Sequence, residues 1–342
     1  MKKFISYAAM AVALCACSNN DITTPEIIDP QSATLSISTS VSNSIALTRT
    51  TGTVLGGNGT TTGPVMGTQL PNSSNLGIFV TKENTTDAYP AITGQATDNI
   101  QSTLNGSSWS FPKFDLTSAL GKVLAYFPYA DNATINSVNV TAGTTDYLYG
   151  ISNTVSSSNK NAVIPMNHAM SLISFTFKRG DKLNDSFTGN VQSITLNGVH
   201  TTGTMAVNGG EISATGNTTQ LPVKHFINGY KETWSEVIPN VKDAILGSSQ
   251  TNEIPMFHVL AIPTLITDGT QTATIVIDGA TYTISNLTLG LNGGTTNANG
   301  WEKGKRYTYN LTVNSAGTGN ELVISSVTVN QWTEGGSSDI EI

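Results

Sequence analysis

Cysteine and charge are both scarce in this chain of 342 residues. The 2 cysteines are Cys15 and Cys17, which excludes a scaffold held by several disulfides and a metal site built from several cysteines. Charged residues make up only 11% of the chain and the formal net charge is -7, which argues against a nucleic-acid-binding surface. The sequence is instead rich in Gly, Ser, Thr and Asn, which is typical of an extracellular β-protein with many turns.

Catalytic and metal-binding motifs are also missing. The sequence contains no H-E-x-x-H, G-x-S-x-G or EF-hand pattern. The four histidines are too far apart in the sequence to suggest a local metal site, and we expect His168 and His258 to lie in or beside the core. The sequence therefore predicts a protein that is not an enzyme and that binds no cofactor or metal.

The amino terminus has the pattern of an exported lipoprotein. A basic start is followed by the uncharged apolar run 4–14, which has the length of a signal-peptide core and is too short for a membrane span. The run ends in Leu14-Cys15-Ala16-Cys17, which resembles the lipobox of bacterial lipoproteins. We expect residues 1–16 to be removed and Cys17 to carry the lipid that anchors the precursor. The alternative is an ordinary signal peptide with a coincidental cysteine.

A long strand is predicted after a polar tether. In residues 33–47 the apolar side chains occupy alternate positions, so an extended strand would present one apolar face. Thr39 and Asn43 are the two polar residues on that face. Its large apolar members are Leu35, Ile37, Val41, Ile45 and Leu47.

Arg49 follows this strand and is the only basic residue between Lys3 and Lys82. It precedes a stretch rich in Gly and Thr, where a protease can reach the backbone. Arg49 is therefore a candidate processing site, and the alternative is a solvated loop arginine.

Further short strands are predicted at regular spacing. The clearest are residues 76–80, 122–129, 170–178, 191–196, 256–262, 273–277, 281–284, 306–313 and 322–329. Short strands separated by polar turns predict an all-β protein built from antiparallel β-sandwiches. The length suits two cores, so we expect an N-terminal sandwich at 50–182 and a C-terminal sandwich at 183–342.

Several ordered segments together resemble the fimbrillin family, the subunits of type V pili in Bacteroidales. They are residues 75–80 (NLGIFV), 125–129 (AYFPY), 167–171 (NHAMS), 260–263 (LAIP), 301–309 (WEKGKRYTY) and 327–332 (VTVNQW). The resemblance implies two sandwich domains with transthyretin-like topology. It also implies that subunits are exported as lipoproteins, that an arginine-specific protease removes the first strand, and that a neighbour's C-terminal region fills the groove.

Carried onto this sequence, the resemblance places cleavage between Arg49 and Thr50, so that residues 17–49 leave with the lipid. The donor strand would lie within 322–342. The implied location is the outer membrane surface and the fimbrium, with an expected role in adhesion. The implied partners are other pilin subunits, the maturation protease, and host or bacterial surface ligands. Whether the chain is a stalk, tip or anchor subunit stays open.

Burial energies support such a scheme independently of the resemblance. The strand has six apolar side chains, Ala33 and the five large ones. Removing it exposes apolar surface whose burial contributes roughly 8–15 kcal/mol. This is comparable to the whole stability of a domain, about 5–15 kcal/mol. An opened groove would therefore bind another strand tightly or destabilise its domain.

Two other functions are weighed against a pilus subunit. A monomeric glycan-binding lipoprotein would depend on exposed aromatics such as Trp109 or Trp234, and the set Tyr126, Phe127 and Tyr129 could form a stacking platform or simply pack in the core. A lipoprotein hydrolase is the third candidate, disfavoured by the missing motifs.

Overall fold

The computed structural model describes residues 32–41, 70–179, 191–225, 257–266, 270–285, 287, 300–316 and 319–331. These residues form strands and no helix. All described residues lie in one compact unit that spans Gln31–Ile342. The prediction of an all-β protein is confirmed.

The strands follow the chain in this order: β1 Ala33–Thr34, β2 Ser36–Val41, β3 Asn75–Lys82, β4 Ile100–Asn105, β5 Ser108–Ser110, β6 Asp115–Leu116, β7 Gly121–Phe127, β8 Val138–Thr141, β9 Leu148–Ile151, β10 Asn161–His168, β11 Ser171–Arg179 and β12 Val191–Val199. The remaining strands are β13 Thr202–Met205, β14 Ile212–Thr215, β15 Thr219–Pro222, β16 Lys224–His225, β17 Phe257–Ala261, β18 Thr264–Leu265, β19 Thr272–Ile277, β20 Ala280–Ile284, β21 Gly300–Trp301, β22 Lys305–Ala316 and β23 Gly319–Gln331. Each of the further strands expected from sequence has a counterpart, and the strand expected at 33–47 is described through residue 41 as β1 and β2.

The N-terminal half is built on a seven-stranded sheet in the order β2-β10-β9-β7-β3-β4-β5. The sheet curves so that its two end strands, β2 and β5, are in contact. Trp109 in β5 donates a hydrogen bond to Thr39 in β2. A cluster of buried apolar side chains from these strands fills the interior. Strand β2 therefore closes the gap between the two ends of the sheet.

Two further sheets face each other in the C-terminal half. One has five strands in the order β16-β17-β11-β22-β23 and the other has four in the order β15-β12-β19-β20. Phe175 in β11, Ile194 in β12 and Ile275 in β19 belong to one buried cluster between them. This arrangement is a β-sandwich with side chains of both sheets in a shared core.

Strand β11 pairs with β17 on one side and β22 on the other, so it belongs to the C-terminal sheet. The boundary expected from the sequence, after residue 182, would instead group it with the N-terminal strands. Both faces of β11 are covered, because Ile173 packs in the C-terminal core and Leu172 packs in a separate cluster with Tyr126 and Leu260.

Two strand pairs are parallel, β2 with β10 and β11 with β22, whereas the other pairings between described strands are antiparallel. Strand β22 is an interior strand, since β23 pairs with its other side. Strand β2 is an end strand. The N-terminal strand can therefore leave without breaking any pairing beyond its own.

Candidate functional site

The segment 33–41 is held on two sides by different parts of the N-terminal half. Strand β1 pairs with β6, and the Leu35 backbone N–H donates to the Phe114 carbonyl at 2.8 Å. One residue later the partner changes, because the Ser36 N–H donates to the Lys160 carbonyl at 3.0 Å and β2 then runs along β10. The segment thus lies in a groove between β10 and the β5–β6 region.

Alternate side chains of this segment complete the N-terminal core. Leu35, Ile37 and Val41 are exposed by only 4%, 9% and 5%, and the serines between them face solvent. Ile37 lies opposite Ala162 and Val41 opposite Met166, both fully buried residues of β10. These buried residues occupy alternate positions in the sequence. Without the segment 33–41, the groove would expose the apolar side chains of β10 that line it.

Thr39 is the polar exception on the inward face. It is half-buried, and its hydroxyl accepts a hydrogen bond from the Trp109 indole N–H at 3.1 Å. Trp109 is itself half-buried and packs against the N-terminal core. This contact joins the two ends of the curved sheet through one polar pair.

A second polar contact holds the start of the segment. The Thr34 hydroxyl donates to the Asp115 carboxylate at 2.7 Å, and Lys113 forms an ion pair with the same side chain, also at 2.7 Å. The hydrogen bonds from Lys113 and Thr34 lower the pKa of Asp115. The carboxylate form therefore favours the docked segment.

The other expected site residues lie outside the described residues. These are Cys17, Ile45, Leu47, Arg49 and Thr50. Of the expected donor region, residues 322–331 belong to β23, an end strand of the five-stranded sheet, and 332–342 lie outside.

Two histidines make buried polar pairs. His168 Nδ1 lies 2.8 Å from Asp146 Oδ2, and His258 Nδ1 lies 2.8 Å from the Ser174 hydroxyl. All four side chains are buried, so a substrate could not reach them in this conformation. In the described part of the chain, no group of three His, Cys, Asp or Glu side chains could hold a metal ion. None of the described residues belongs to a helix long and apolar enough to cross a membrane.

Most of the aromatic side chains suggested for glycan stacking are engaged in contacts within the protein. Tyr126 and Phe127 are buried, and Tyr126 donates a hydrogen bond to Asn99 at 2.6 Å. Trp109 is engaged with Thr39, and Trp234 lies outside the described residues. No sequence pattern points directly to the Trp109–Thr39 pair, although Thr39 stands out as a polar residue on an apolar face.

The fold and the groove together define a class: a protein whose described residues are all-β and whose strand β2 completes the N-terminal core from the end of a sheet. The profile of the fimbrillin-like family matches residues 60–332, and the chain belongs to that family. The matched region begins after the segment 33–41. Family membership supports a role as a structural subunit of a cell-surface fimbria that assembles with other fimbrillin subunits.

Solved structures show the same fold at low identity. A candidate cell adhesion protein of Bacteroides uniformis has a TM-score of 0.55 and 16% identity over 89% of this chain and 100% of that one. A candidate cell adhesion protein of Bacteroides ovatus has a TM-score of 0.53 and 16% identity over 86% of this chain and 96% of that one. No curated protein sequence matches this chain.

Proposed function

We propose that this chain is a structural subunit of a type V pilus that is exported as a lipoprotein and polymerises by strand exchange. Cys17 would carry the lipid that holds the precursor at the outer membrane. Cleavage between Arg49 and Thr50 would release residues 17–49, and a neighbouring subunit would then fill the groove with a strand from its C-terminal region. Adhesion through the assembled fibre is the expected role.

The observation that carries this proposal is the position of the segment 33–41. It pairs with β6 through β1 and with β10 through β2, and it supplies three buried apolar side chains to the core. Burial of Leu35, Ile37 and Val41 contributes roughly 4–9 kcal/mol. A free groove of this kind favours capture of another strand, which is the physical basis of β-augmentation.

Strand pairing also supports two sandwich domains, with a boundary that we place between β10 and β11, near residue 170. In chain order, β10 is the last strand of the N-terminal sheet and β11 is the first strand of the five-stranded C-terminal sheet. The buried cluster that contains Tyr126, Met170 and Leu260 links the two sheets, so we expect the subunit to enter the fibre as one body.

The test is substitution of the processing residue in the full chain. Arg49→Ala should leave the subunit lipidated, uncut and monomeric, whereas the wild type should assemble into fibres that begin at Thr50 by amino-terminal sequencing. Arg49→Lys separates an arginine-specific protease, which should not cut it, from a protease that accepts either basic residue.

Lys82→Ala, at an exposed lysine on the end of β3, is the matched control and should assemble normally. Fibres of Arg49→Ala with the same amino terminus as the wild type would refute cleavage at this residue. A lipidated Cys17 in purified fibres would instead indicate an anchor subunit.

A further inference from the structure

The groove has one polar position among apolar ones. Positions 35, 37 and 41 of the occupying strand are buried and apolar, and position 39 carries a hydroxyl that accepts the Trp109 N–H. An indole N–H is a donor only, so it requires an acceptor at this place. A strand with an apolar side chain at this position would leave the half-buried N–H without that partner, which disfavours binding.

This polar position can determine the register of the strand. A slip by one residue turns the apolar side chains outward. The loss of their burial is enough to exclude that register. A slip by two residues keeps the apolar side chains inward, so burial discriminates against it only weakly. It would, however, bring Ile37 or Val41 to the Trp109 N–H in place of Thr39. Trp109 thus distinguishes registers that bury nearly the same number of apolar side chains.

The C-terminal strand of the chain repeats the first three inward positions of the N-terminal one, and Thr328 stands where the N-terminal strand has Val41. Residues 35–39 read Leu-Ser-Ile-Ser-Thr, and residues 322–326 read Leu-Val-Ile-Ser-Ser. Leu322, Ile324 and Ser326 therefore have the same spacing as Leu35, Ile37 and Thr39. Residues 322–326 lie in β23, which is an end strand with β22 on one side.

We propose that Trp109 determines the specificity and register of the groove by binding a hydroxyl at the third inward position. The hydroxyl belongs to Thr39 in the uncut chain and to Ser326 of a second copy after strand exchange. The incoming strand runs parallel to β10, as β2 does. This inference rests on the proposed strand exchange for its second half, whereas the Trp109–Thr39 contact is independent of it.

The first experiment uses the uncut full chain. Trp109→Phe and Thr39→Val should each speed amide hydrogen exchange in β10 about two- to tenfold, which is the effect of losing one hydrogen bond. The double variant should be no faster than the faster single one, because both changes remove the same contact. Ser40→Ala, at the exposed neighbour, is the control and should exchange like the wild type. Effects that multiply in the double variant would overturn the role of Trp109.

The second experiment measures the register between copies after cleavage at Arg49. In the uncut chain Ser38 lies opposite Val163, and both are exposed. In the proposed register Ser325 takes the place of Ser38. A Val163→Cys copy mixed with a Ser325→Cys copy should therefore give a cross-linked dimer with a short bifunctional thiol reagent. Adding Trp109→Phe to the Val163→Cys copy should reduce the yield of this dimer.

The matched control is an Asn330→Cys copy, which corresponds to the register that places Val327, Val329 and Gln331 inward. Cross-linking through Asn330→Cys instead of Ser325→Cys overturns the register, and fibres that cross-link through neither overturn the assignment of the donor segment. Absence of any wild-type assembly after cleavage refutes the proposed function. In that case the hydrogen-exchange result still decides whether Trp109 holds Thr39.

Discussion

The two parallel strand pairs of this molecule have similar local geometry and opposite consequences for stability. Strand β2 runs along β10 at the end of the N-terminal sheet, whereas β22 runs along β11 inside the C-terminal sheet. The first pair covers six residues of β2 and the second covers eight residues of β22, which is also paired with β23 over its full length. The comparison shows that the same pairing can form a replaceable closure in one half and a fixed centre in the other.

The side chains reinforce this difference. Tyr309 of β22 is fully buried, stacks on Phe175 at 5.4 Å, accepts a hydrogen bond from Trp301 and donates one to the Leu287 carbonyl. Burial raises the pKa of Tyr309, so the neutral hydroxyl persists at any ordinary pH. The inward side chains of β2 are aliphatic except for Thr39. Apart from the contact between Trp109 and Thr39, an aliphatic strand can be exchanged for another with little loss of specific contacts, whereas β22 cannot.

The largest expected effect is therefore in the C-terminal half. Tyr309→Ala should lower the free energy of unfolding by about 3–5 kcal/mol, since it leaves a large cavity and removes both hydrogen bonds. Tyr309→Phe is the matched variant that keeps the ring, and it should cost about 1–2 kcal/mol. Urea denaturation of the full chain measures both. A smaller loss for Tyr309→Ala than for a substitution in β2 would contradict the contrast between the two pairs.

A smaller and more local effect is expected in β2. Ile37→Ala should cost about 2 kcal/mol, because Ile37 is well buried at the end of a sheet that can partly relax around it. Amide exchange in β10 should accelerate while exchange in β22 stays unchanged. Ser38→Ala, at the adjacent outward position, should stay within about 0.5 kcal/mol of the wild type. Equal acceleration in β10 and β22 would mean that the N-terminal strand is not an independent unit.

The smallest effect concerns the contact between Thr34 and Asp115. The folded-state pKa of Asp115 lies below its unfolded value, so this contribution is present above the unfolded pKa of about 3.9 and is lost as the pH falls through the folded pKa. We expect the amides at the start of the segment to lose protection in acid, relative to their intrinsic exchange rates, by less than about 1 kcal/mol of opening free energy. Asp115→Asn should remove this pH dependence. An unchanged acid response in that variant would assign it to other carboxylates.

Part of this contrast could be predicted from local sequence. The features that could not be predicted were missed for physical reasons. The alternation in residues 33–41 correctly predicted which side chains of β2 face the core. It could not predict a parallel partner more than a hundred residues away, because side-chain period is the same in parallel and antiparallel strands. Strand β10 itself was not predicted, since Pro165 lies within it and proline disfavours a strand assignment.

The two covered faces of β11 were predicted only in part. In the sequence, Ile173, Phe175 and Phe177 occupy alternate positions and indicate one apolar face. Leu172 and Ser174 on the other face are also buried. Ser174 is accommodated there because it pairs with His258 across the strands. A buried hydroxyl whose partner is distant in sequence looks like a solvent-facing residue when only the local pattern is available.

The direction of β2 has a consequence for any fibre built by strand exchange. A strand that replaces β2 and keeps its direction starts near Asp115 and ends near Met166. The donating and accepting surfaces of a subunit are then different, so the contact is heterologous and gives an open filament unless the rotation between subunits closes a ring. Such a polymer is polar: one end offers an open groove and the other an unused donor strand, and growth and termination require different partners at the two ends.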